Sequence, residues 1–437
     1  MKTYSKKSHW LINLTLLITL SFFAACDKDD KDHGGNTSSL IPDTDNGGLT
    51  LPNGFGAITV AAETGLTRHM VVNTNGDIYL KLNELKGGKG IVKLTDSNND
   101  GKADNQTMFG DYMGTGIDIK DGYLYASSDE EVFRYKFNNN GEIENPDAPE
   151  KIITGLTIGS GHTSKSITLD NNQNIYVNIG APSNACQIED RTPGSLGQDP
   201  CPLLQNSGGI WQFKSNTANQ SQAQGTRYAT GLRNVVGLDW NTKTNELFVM
   251  QHGRDQLSVL FPQLFTDSMS AELPSEEFLQ VNQGDDFGWP YCYYDHIQNK
   301  KVLAPEYGGD GQKTDRCDGI EKPVVAFPGH WAPNALLFYT GKQFPNKYEN
   351  GAFIAFHGSW NRAPLRQGGY FVAFVPMNNG KASGDWEIFA EGFPGVDVIN
   401  QPDEAQYRPM GLAQGPDGSL YISDSKKGKV WRIVYKG

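Results

Sequence analysis

Five histidines and arginines occupy equivalent places in a repeated pattern of this sequence, and their side chains could do chemistry together. An arginine presents a planar fork of donors that suits carboxylates, and an imidazole can accept a proton near neutral pH. Each of the five stands where an apolar, strand-like run begins: His69, His162, Arg233, His330 and Arg408. Any one of them could be a solvated loop residue. Their recurrence at one position of the repeat favours a shared site.

The repeat is clearest in residues 231–254, GLRNVVGLDWNTKTNELFVMQHGR. A polar pair, Arg233 and Asn234, precedes an apolar run, a polar turn and a second short strand. Six copies are present, and an aromatic residue marks the second strand of each: Tyr79, Tyr125, Tyr176, Phe248, Phe353 and Tyr421. A further apolar strand is expected after each copy: IVKL at 91, VFRY at 132, GIWQF at 209, LSVLF at 257, GYFVAF at 369 and KVWRI at 429.

Repeats of several short strands are typical of a β-propeller, because one blade cannot bury both of its faces without neighbours. The six copies predict an all-β, six-bladed β-propeller over residues 51–437. A closed ring has no free edges, so the strands around Leu420 and Val430 should lie in the blade beside that of Tyr79. Since the innermost strands line a central channel, the polar residues of the repeat are expected to meet at one mouth of it.

The composition agrees with a turn-rich β fold. The 437 residues include 50 Gly and 22 Pro, and no long helical pattern is present. Such a composition favours an all-β domain. The formal net charge of −12 argues against nucleic acid as a partner.

The N-terminus is predicted to be a lipoprotein signal peptide, residues 1–25. A basic start precedes an apolar run that is too short and too early for a convincing membrane span, and small residues then precede Cys26. Lipid on Cys26 would anchor the chain to a membrane of the cell envelope without spanning it. The alternative is an ordinary cleaved signal, since Phe23 stands where such motifs usually have Leu.

Residues 26–50 are predicted to be a flexible tether. Whether the anchored protein faces the periplasm or the cell surface stays open.

Two further features concern crosslinks and ions. Cysteines occur in pairs within two long insertions, and an exported chain favours disulfides Cys186–Cys201 and Cys292–Cys317.

A short loop places oxygen ligands at alternate positions around a glycine, as calcium loops do. The candidate ligands are Asp96, Asn98, Asp100 and Asp104. Thr107 replaces the glutamate that would complete an EF-hand, so a plain polar turn remains the alternative.

Four segments resemble the soluble pyrroloquinoline-quinone (PQQ)-dependent sugar dehydrogenases, most of all the sorbosone and aldose sugar dehydrogenases. They are GLRN at 231–234, GDDFGWPYC at 284–292, HGSWNR at 357–362 and YRPMGLAQGPDGSLYISD at 407–424. The resemblance covers residues 51–435. It implies oxidation of an aldose or related sugar aldehyde by hydride transfer to PQQ, with a separate electron acceptor taking the electrons.

The resemblance also implies a cofactor site. Arg233, Asn234 and Arg408 are expected to hold the carboxylates of PQQ. The soluble glucose enzymes have an arginine where this chain has Gln406, and Arg362 is expected to compensate. Together with His357, Arg362 is also expected to replace a lysine that those enzymes present to the cofactor.

A Ca²⁺ ion of the family binds backbone carbonyls, which here are expected to be those of Gly253 and Arg254. The ion would act as a Lewis acid. The general base of the family is expected to be His162, with His330 or His357 as the alternative. Ala181 replaces an aspartate that supports this histidine in the soluble glucose enzymes, so glucose specificity is not implied.

Two other functions remain open from the sequence. One is a non-catalytic surface lipoprotein that binds glycans on a propeller scaffold. The other is a calcium-dependent propeller hydrolase such as a lactonase, which would need carboxylates to converge on an axial metal. The residues at the repeat position are arginines and histidines, which makes the hydrolase the weaker alternative.

Overall fold

The computed structural model describes residues 40–437, and almost all of its regular structure is β-strand. The signal peptide and Cys26 therefore lie outside the described residues. In chain order the strands are β1 (Phe55–Ala61), β2 (Thr67–Val72), β3 (Ile78–Lys86), β4 (Lys89–Thr95), β5 (Asn105–Phe109), β6 (Ile117–Lys120), β7 (Tyr123–Ser127), β8 (Val132–Lys136), β9 (Glu150–Thr154), β10 (Ile167–Leu169), β11 (Asn174–Ile179), β12 (Gly209–Lys214), β13 (Gln220–Ser221), β14 (Thr226–Thr230), β15 (Val235–Asn241), β16 (Glu246–Gln251), β17 (Glu276–Val281), β18 (Asp285–Asp286), β19 (Cys292–Asp295), β20 (Lys300–Leu303), β21 (Val325–Phe327), β22 (Pro333–Phe338), β23 (Ala352–Phe356), β24 (Phe371–Val375), β25 (Met377–Asn378), β26 (Lys381–Ala382), β27 (Glu387–Ala390), β28 (Pro409–Gln414), β29 (Leu420–Asp424) and β30 (Val430–Tyr435).

The helices of the described chain are all short. Two are α-helical, α1 (Leu257–Leu260) and α2 (Asp267–Glu272). Single turns of 3-10 helix occur at Asn46–Gly48, Pro202–Gln205, Gln222–Gln224, Pro305–Tyr307, Asp315–Cys317, Asn346–Tyr348 and Pro402–Glu404. No helix among residues 40–437 has the length and apolar character needed to cross a membrane.

The strands form six blades, as the repeats predicted. Blade 1 is β2–β3–β4–β5, and blade 2 is β6–β7–β8–β9 with β13 added at its outer edge. Blade 3 is β10–β11–β12–β14 with β18 at its edge, and blade 4 is β15–β16–β17–β21. Blade 5 is β22–β23–β24–β27, and blade 6 is β28–β29–β30–β1. The pairs β19–β20 and β25–β26 form separate small hairpins.

The ring closes between the two ends of the described chain. Strand β1 pairs antiparallel with β30, from Phe55 opposite Tyr435 to Ala61 opposite Val430, so the first strand completes the last blade. Blade 1 is bonded to blade 6 through the Thr67 hydroxyl, which donates to the Asp424 carbonyl at 2.5 Å. The prediction that the C-terminal strands lie beside blade 1 is therefore confirmed. Closure leaves no inner strand of the ring without a neighbouring blade.

The aromatic residue of each repeat marks one register position in every blade. It lies opposite an inner-strand residue that faces the axis, and we call these six inner residues the channel ring. The pairs are Val71 with Tyr79, Asp118 with Tyr125, Thr168 with Tyr176, Asp239 with Phe248, Leu337 with Phe353, and Ala413 with Tyr421. The aromatics are buried between blades: the ring of Tyr176 stacks on Trp240 of the next blade with centroids 5.3 Å apart. These rings fill the space between neighbouring sheets, which is why the repeat requires them.

Two parts of the chain differ from the sequence prediction. Residues 257–261, LSVLF, form α1 rather than a strand, and the third strand of blade 4 is β17. The apolar residues of α1 pack with Phe265 and Leu273 in a small core of their own insertion. In addition, residues 43–50 of the predicted tether are bonded to the propeller, since Asp43 accepts from the Thr59 amide at 2.8 Å.

The two cysteine pairs form the predicted disulfides, Cys186–Cys201 and Cys292–Cys317. The first closes the insertion between β11 and β12, and the second lies in the insertion between β17 and β21. The two insertions pack on each other, because the Trp289 indole donates to the Asn184 carbonyl at 3.0 Å. This shared layer carries several residues of the site described next.

Candidate functional site

A cavity of about 280 Å³ brings together polar residues from the starts of three inner strands and from neighbouring insertions. It is lined by His162, Arg233, Asn234 and His330, which are four of the residues singled out in the sequence. Each precedes an inner strand, so the propeller gathers residues that are far apart along the chain. His69 is not among them: it lies deeper, on β2, and lines the axial channel.

The Arg233 guanidinium is held in one orientation by the neighbouring insertions. It donates to Asp255 Oδ2 at 2.7 Å, to the Gly253 carbonyl at 2.9 Å and to both oxygens of Asn184. Only 4% of its surface is exposed. Burial lowers the pKa of Arg233, and the negative charge of Asp255 opposes that effect. The result is a fixed cation at the cavity wall, which suits a negatively charged ligand.

Asp255 is the carboxylate on which this part of the site is built. It accepts from Arg191 at 2.8 Å, from Arg233 and from Asn361 at 2.8 Å, and His330 Nδ1 lies 3.7 Å from its Oδ1. Burial would raise its pKa, but the positive charges of Arg233 and His330 and the hydrogen bond from Arg191 hold that pKa well below its usual range. Asp255 therefore stays ionised and joins four separate segments of the chain.

His162 is a neutral imidazole, and one of its two ring nitrogens is hydrogen-bonded. Its Nδ1 lies 2.5 Å from the carbonyl oxygen of Ala181. A carbonyl can only accept, so Nδ1 carries the proton and Nε2 is left as an acceptor. Burial lowers the pKa of His162 to about 3, and the charge of Arg233 adds to this. Ala181 thus orients the ring through its backbone, although its side chain cannot.

The two histidines named as alternatives to His162 have other surroundings. His330 Nε2 lies 2.7 Å from the Ser270 carbonyl while its Nδ1 faces Asp255 and Asn361, and these contacts involve both nitrogens. Burial opposes the charged form, but Asp255 raises the pKa of His330 above its ordinary value. His357 Nε2 lies 2.7 Å from the hydroxyl of Ser425. His330 thus has no free ring nitrogen, and His357 lines a different cavity, whereas His162 lies beside Arg233 with Nε2 not hydrogen-bonded to any of the described residues.

A second cavity, of about 540 Å³, lies next to the first and has a cationic wall. Arg408 and Arg68 line it with His357 and Lys426. Arg408 donates to the carbonyls of His357 at 3.0 Å and Gly358 at 2.5 Å, and Arg68 donates to the hydroxyls of Thr115 and Ser164. Neither guanidinium has a carboxylate partner within ion-pair distance among residues 40–437.

The pKa of His252 depends on charges in both cavities. It lines the first cavity, and its Nε2 lies 3.1 Å from the Pro333 carbonyl. Burial lowers its pKa to about 4, and the charges of both Arg233 and Arg68 contribute. The two cavities are therefore close enough for their charges to act on one side chain. Neither Arg68 nor His252 stands at the repeat position, so the repeat does not indicate them. Arg68 comes one place before it, and His252 directly follows the second strand of blade 4.

Arg362 does not take the place that the resemblance implied. It lines neither cavity, and its guanidinium donates to Glu272 at 2.6 Å and to the carbonyls of Gly329 and Ala271. These bonds fix the insertion that carries α2 against the loop before β22. Arg68 is instead the additional guanidinium at the mouth.

The residues expected to bind metal lie in two places. Gly253 lines the first cavity with Glu276, while the Arg254 side chain is buried and paired with Glu306 at 2.6 Å. Burial raises the pKa of Glu276 to about 7, and its oxygens accept from the amides of Gly253 and Ala332. Within residues 40–437 no cluster of three or more His, Cys, Asp or Glu side chains is arranged to hold a metal ion. Calcium here stays a prediction that rests on backbone carbonyls.

The loop of Asp96, Asn98, Asp100 and Asp104 is bonded mainly to itself. Asp96 accepts from the amide of Gly101 at 2.8 Å, and Asp104 accepts from the amide of Ser97 at 2.8 Å. Such bonds are those of a tight polar turn. The proposed structural calcium at this loop also stays a prediction.

Proteins of known identity resemble this chain in sequence and in fold. The PQQ-dependent sugar dehydrogenase of Hypocrea jecorina (strain QM6a) is 23% identical over 401 residues, which cover 84% of this chain and 85% of that protein. A Trichoderma reesei protein of Carbohydrate-Active Enzymes Family AA12 superposes with a TM-score of 0.72 at 18% identity, covering 89% of this chain and 98% of the other. The holo form of the pyranose dehydrogenase PQQ domain from Coprinopsis cinerea superposes with a TM-score of 0.69 at 18% identity, covering 88% and 97%.

These likenesses span the whole propeller. The family model described as TrAA12-like matches residues 49–436, from just before β1 to the last residues after β30. That range includes both cavities, both disulfides and every blade. The chain belongs to the TrAA12-like family.

Proposed function

We propose that this protein is a PQQ-dependent oxidoreductase that oxidises a CH–OH group of an aldose or a related sugar aldehyde. The observation that carries the proposal is the pairing of a neutral histidine, His162, with a buried arginine, Arg233, in one cavity at the channel mouth. Support comes from its relatives: the Hypocrea jecorina protein is named a PQQ-dependent sugar dehydrogenase, and the Coprinopsis cinerea structure is a holo PQQ domain.

The residues present fit a cofactor with three carboxylates. Arg68 and Arg408 are largely buried cations whose donors now go to hydroxyls and carbonyls, without a carboxylate partner among the described residues. Burial of a charge without a counter-charge is costly, so a ligand that brings negative charge would be bound favourably. Arg233, Asn234, Arg68 and Arg408 would hold the carboxylates of PQQ, and His357 would lie against it.

When bound, the quinone supplies the carbonyl that accepts hydride, and a Ca²⁺ ion on the backbone carbonyls of Gly253 and Arg254 would polarise it. The protein's own contribution is proton transfer and orientation. His162 Nε2 would accept the proton of the substrate hydroxyl, and the Ala181 carbonyl holds the opposite side of the ring. Asp255 fixes Arg233, so the anion-binding donor does not move during the reaction.

The substrate side of the cavity is open and polar. Trp360 and Asn361 line it beside His162, and Trp360 is 55% exposed. An exposed indole beside hydrogen-bonding groups suits a sugar, which has both apolar C–H faces and hydroxyls. Which sugar is oxidised depends on contacts in this region, and Ala181 separates it from the soluble glucose enzymes.

The proposal is tested by reconstitution. The purified quinone-free protein is titrated with PQQ in the presence of Ca²⁺, and the absorption of the bound cofactor is recorded. A panel of aldoses, uronic acids and sugar aldehydes is then offered with an artificial dye as electron acceptor. We expect saturable PQQ binding and sugar-dependent dye reduction.

Two results would overturn the proposal. Absence of saturable PQQ binding to the folded protein would reject the cofactor. Tight PQQ binding without dye reduction by any sugar, combined with retention of the protein on immobilised glycans, would favour the non-catalytic glycan-binding alternative.

A further inference from the structure

The axial channel holds a third cavity, of about 430 Å³, that shares no lining residue with the two cavities at the mouth. All six members of the channel ring line it. The ring is chemically divided: Val71, Leu337 and Ala413 are apolar, whereas Asp118, Thr168 and Asp239 are polar. The polar members belong to the consecutive blades 2, 3 and 4, so they face the channel from one side.

The two carboxylates are held in place by backbone amides. Asp118 accepts from the amide of Ile119 at 2.7 Å and, across to the next blade, from that of Leu169 at 3.2 Å. Asp239 accepts in the same way from the amide of Phe338 in blade 5, at 2.7 Å. Each carboxylate oxygen has more than one lone pair, so these bonds leave acceptor capacity toward the channel.

Thr168 lies between the two carboxylates in the ring and is only 4% exposed. Its hydroxyl makes no hydrogen bond to any residue in the range 40–437 and is accessible from the cavity. Water or an ion in the channel can therefore be its partner. A threonine oxygen and two carboxylates are all hard oxygen ligands.

The charged groups that line the axial cavity indicate which kind of ligand would bind there. No lysine or arginine lines the cavity. His69 lines it, but its Nε2 is bonded to the Asn334 carbonyl and burial lowers its pKa to about 4, so it is neutral. Burial raises the pKa of Asp118 to about 6 and that of Asp239 to about 8, and the charge of Asp118 adds to the effect on Asp239. The charge of Lys120 also acts on Asp118, but no lysine or arginine lines the cavity beside either aspartate.

We propose that Asp118, Thr168 and Asp239 form a binding site for a hydrated divalent cation in the axial channel. The cavity has room for on the order of ten waters at about 30 Å³ each, so the ion would keep much of its hydration shell. Divalent cations that bind through one or two carboxylates and several waters behave in this way, Mg²⁺ in particular. The bound ion would join blades 2, 3 and 4 near the axis. The proposal does not depend on the proposed oxidoreductase function.

The site is tested with Mn²⁺ as a spectroscopic stand-in for a hard divalent cation. Quinone-free protein is titrated with Mn²⁺, and the number of bound equivalents is counted by electron paramagnetic resonance. The double variant Asp118→Asn/Asp239→Asn keeps amide oxygens as acceptors but removes both charges, and we expect it to bind one equivalent fewer. The matched control is Asp96→Asn/Asp100→Asn in the surface loop, which should retain the channel equivalent.

An unchanged number of equivalents in the folded Asp118→Asn/Asp239→Asn protein would overturn the proposal. Thr168→Val provides an independent measurement, because it is nearly isosteric and removes only the hydroxyl. We expect it to weaken Mn²⁺ binding at this site about tenfold, the typical effect of losing a supporting contact at a metal site. Unchanged affinity in that variant would also reject the site, whether or not the double variant folds.

Discussion

At the scale of single residues, the orientation of His162 depends on a backbone atom. The Ala181 carbonyl accepts from Nδ1 and so fixes the tautomer that leaves Nε2 free. A carbonyl carries no full charge, so it raises the pKa of the imidazole less than an aspartate would. Burial and the charge of Arg233 outweigh it and lower the pKa of His162 to about 3. The ring is therefore neutral, and its Nε2 is a hydrogen-bond acceptor.

The first prediction concerns this histidine. His162→Gln retains much of the shape and one hydrogen bond but cannot accept a proton near neutral pH. We expect turnover to fall by about 10²–10⁴-fold, the usual contribution of general base catalysis, with quinone affinity nearly unchanged. Turnover and quinone occupancy are measured separately on the same reconstituted samples.

The comparison variants are His330→Gln, His357→Gln and His252→Gln. The first two remove alternatives from the sequence, and the third removes the other neutral imidazole that lines the first cavity. If one of these loses turnover at full occupancy while His162→Gln stays within about threefold of the parent, well short of a general-base effect, the base has been wrongly assigned.

The second prediction separates two arginines. Arg233→Ala should weaken PQQ binding by about 1.5–3 kcal/mol, the typical value for a hydrogen bond to a charged group. Arg362→Ala should leave PQQ affinity unchanged, because the Arg362 guanidinium is bonded to Glu272 and two carbonyls away from the cavities. Equilibrium titration by absorption gives both values. Equal losses in the two variants would show that the cofactor does not contact Arg233 in particular.

At the scale of elements, the site is assembled by insertions between strands rather than by strands alone. The β11–β12 connection supplies Asn184 and Arg191, and the β16–β17 connection supplies Asp255. Asp255 joins both to Arg233, which starts blade 4. The disulfide Cys186–Cys201 lies in the first of these connections and limits its freedom in the unfolded chain. The crosslink and the ion pairs therefore stabilise the same layer.

The third prediction tests this ion-pair network. Asp255→Asn leaves Arg233 without a carboxylate partner in a buried position, and breaking a buried pair typically costs about 3–5 kcal/mol. The matched control is Asp199→Asn, which breaks the exposed pair with Arg316 and should cost no more than about 1 kcal/mol. Urea unfolding of both variants gives the two costs. Similar small losses would mean that Asp255 does not organise the layer.

At the scale of the whole molecule, the ring was predictable because its repeat has a physical cause. The aromatic residues at one register position fill the spaces between blades, so six of them predict six blades. The run LSVLF at 257 was wrongly predicted as a strand, since a short apolar run looks the same in a buried helix. Arg68 lies on β2 one place before the repeat position, and the repeat does not mark it. The place of Arg362 was not predictable, because it depends on how insertions fold over the mouth. No repeat specifies that path.

The repeat also does not reveal contacts that cross the ring. His69 on β2 of blade 1 has its Nε2 2.7 Å from the Asn334 carbonyl on β22 of blade 5. Asn334 in turn donates to the Met410 sulfur on blade 6 at 3.0 Å. The first of these bonds joins blades 1 and 5, which are not neighbours in the ring. Since the Asn334 carbonyl only accepts, the His69 ring must carry its proton on Nε2.

His69 makes the stability of the ring depend on pH. Burial lowers its pKa from an ordinary value of 6.5 to about 4. The unfolded chain takes up a proton below its ordinary pKa, whereas the folded protein does not until the pH nears 4. Its contribution to stability is therefore complete above pH 6.5 and is lost as the pH falls toward 4.

The fourth prediction follows from the variant His69→Gln, which can still donate to Asn334 but does not titrate. Between neutral pH and about pH 5, the parent should lose roughly 1–2 kcal/mol more unfolding free energy than the variant does. Urea unfolding at the two pH values measures this difference, and parallel losses in the two proteins would show that His69 is protonated equally in the folded and unfolded states.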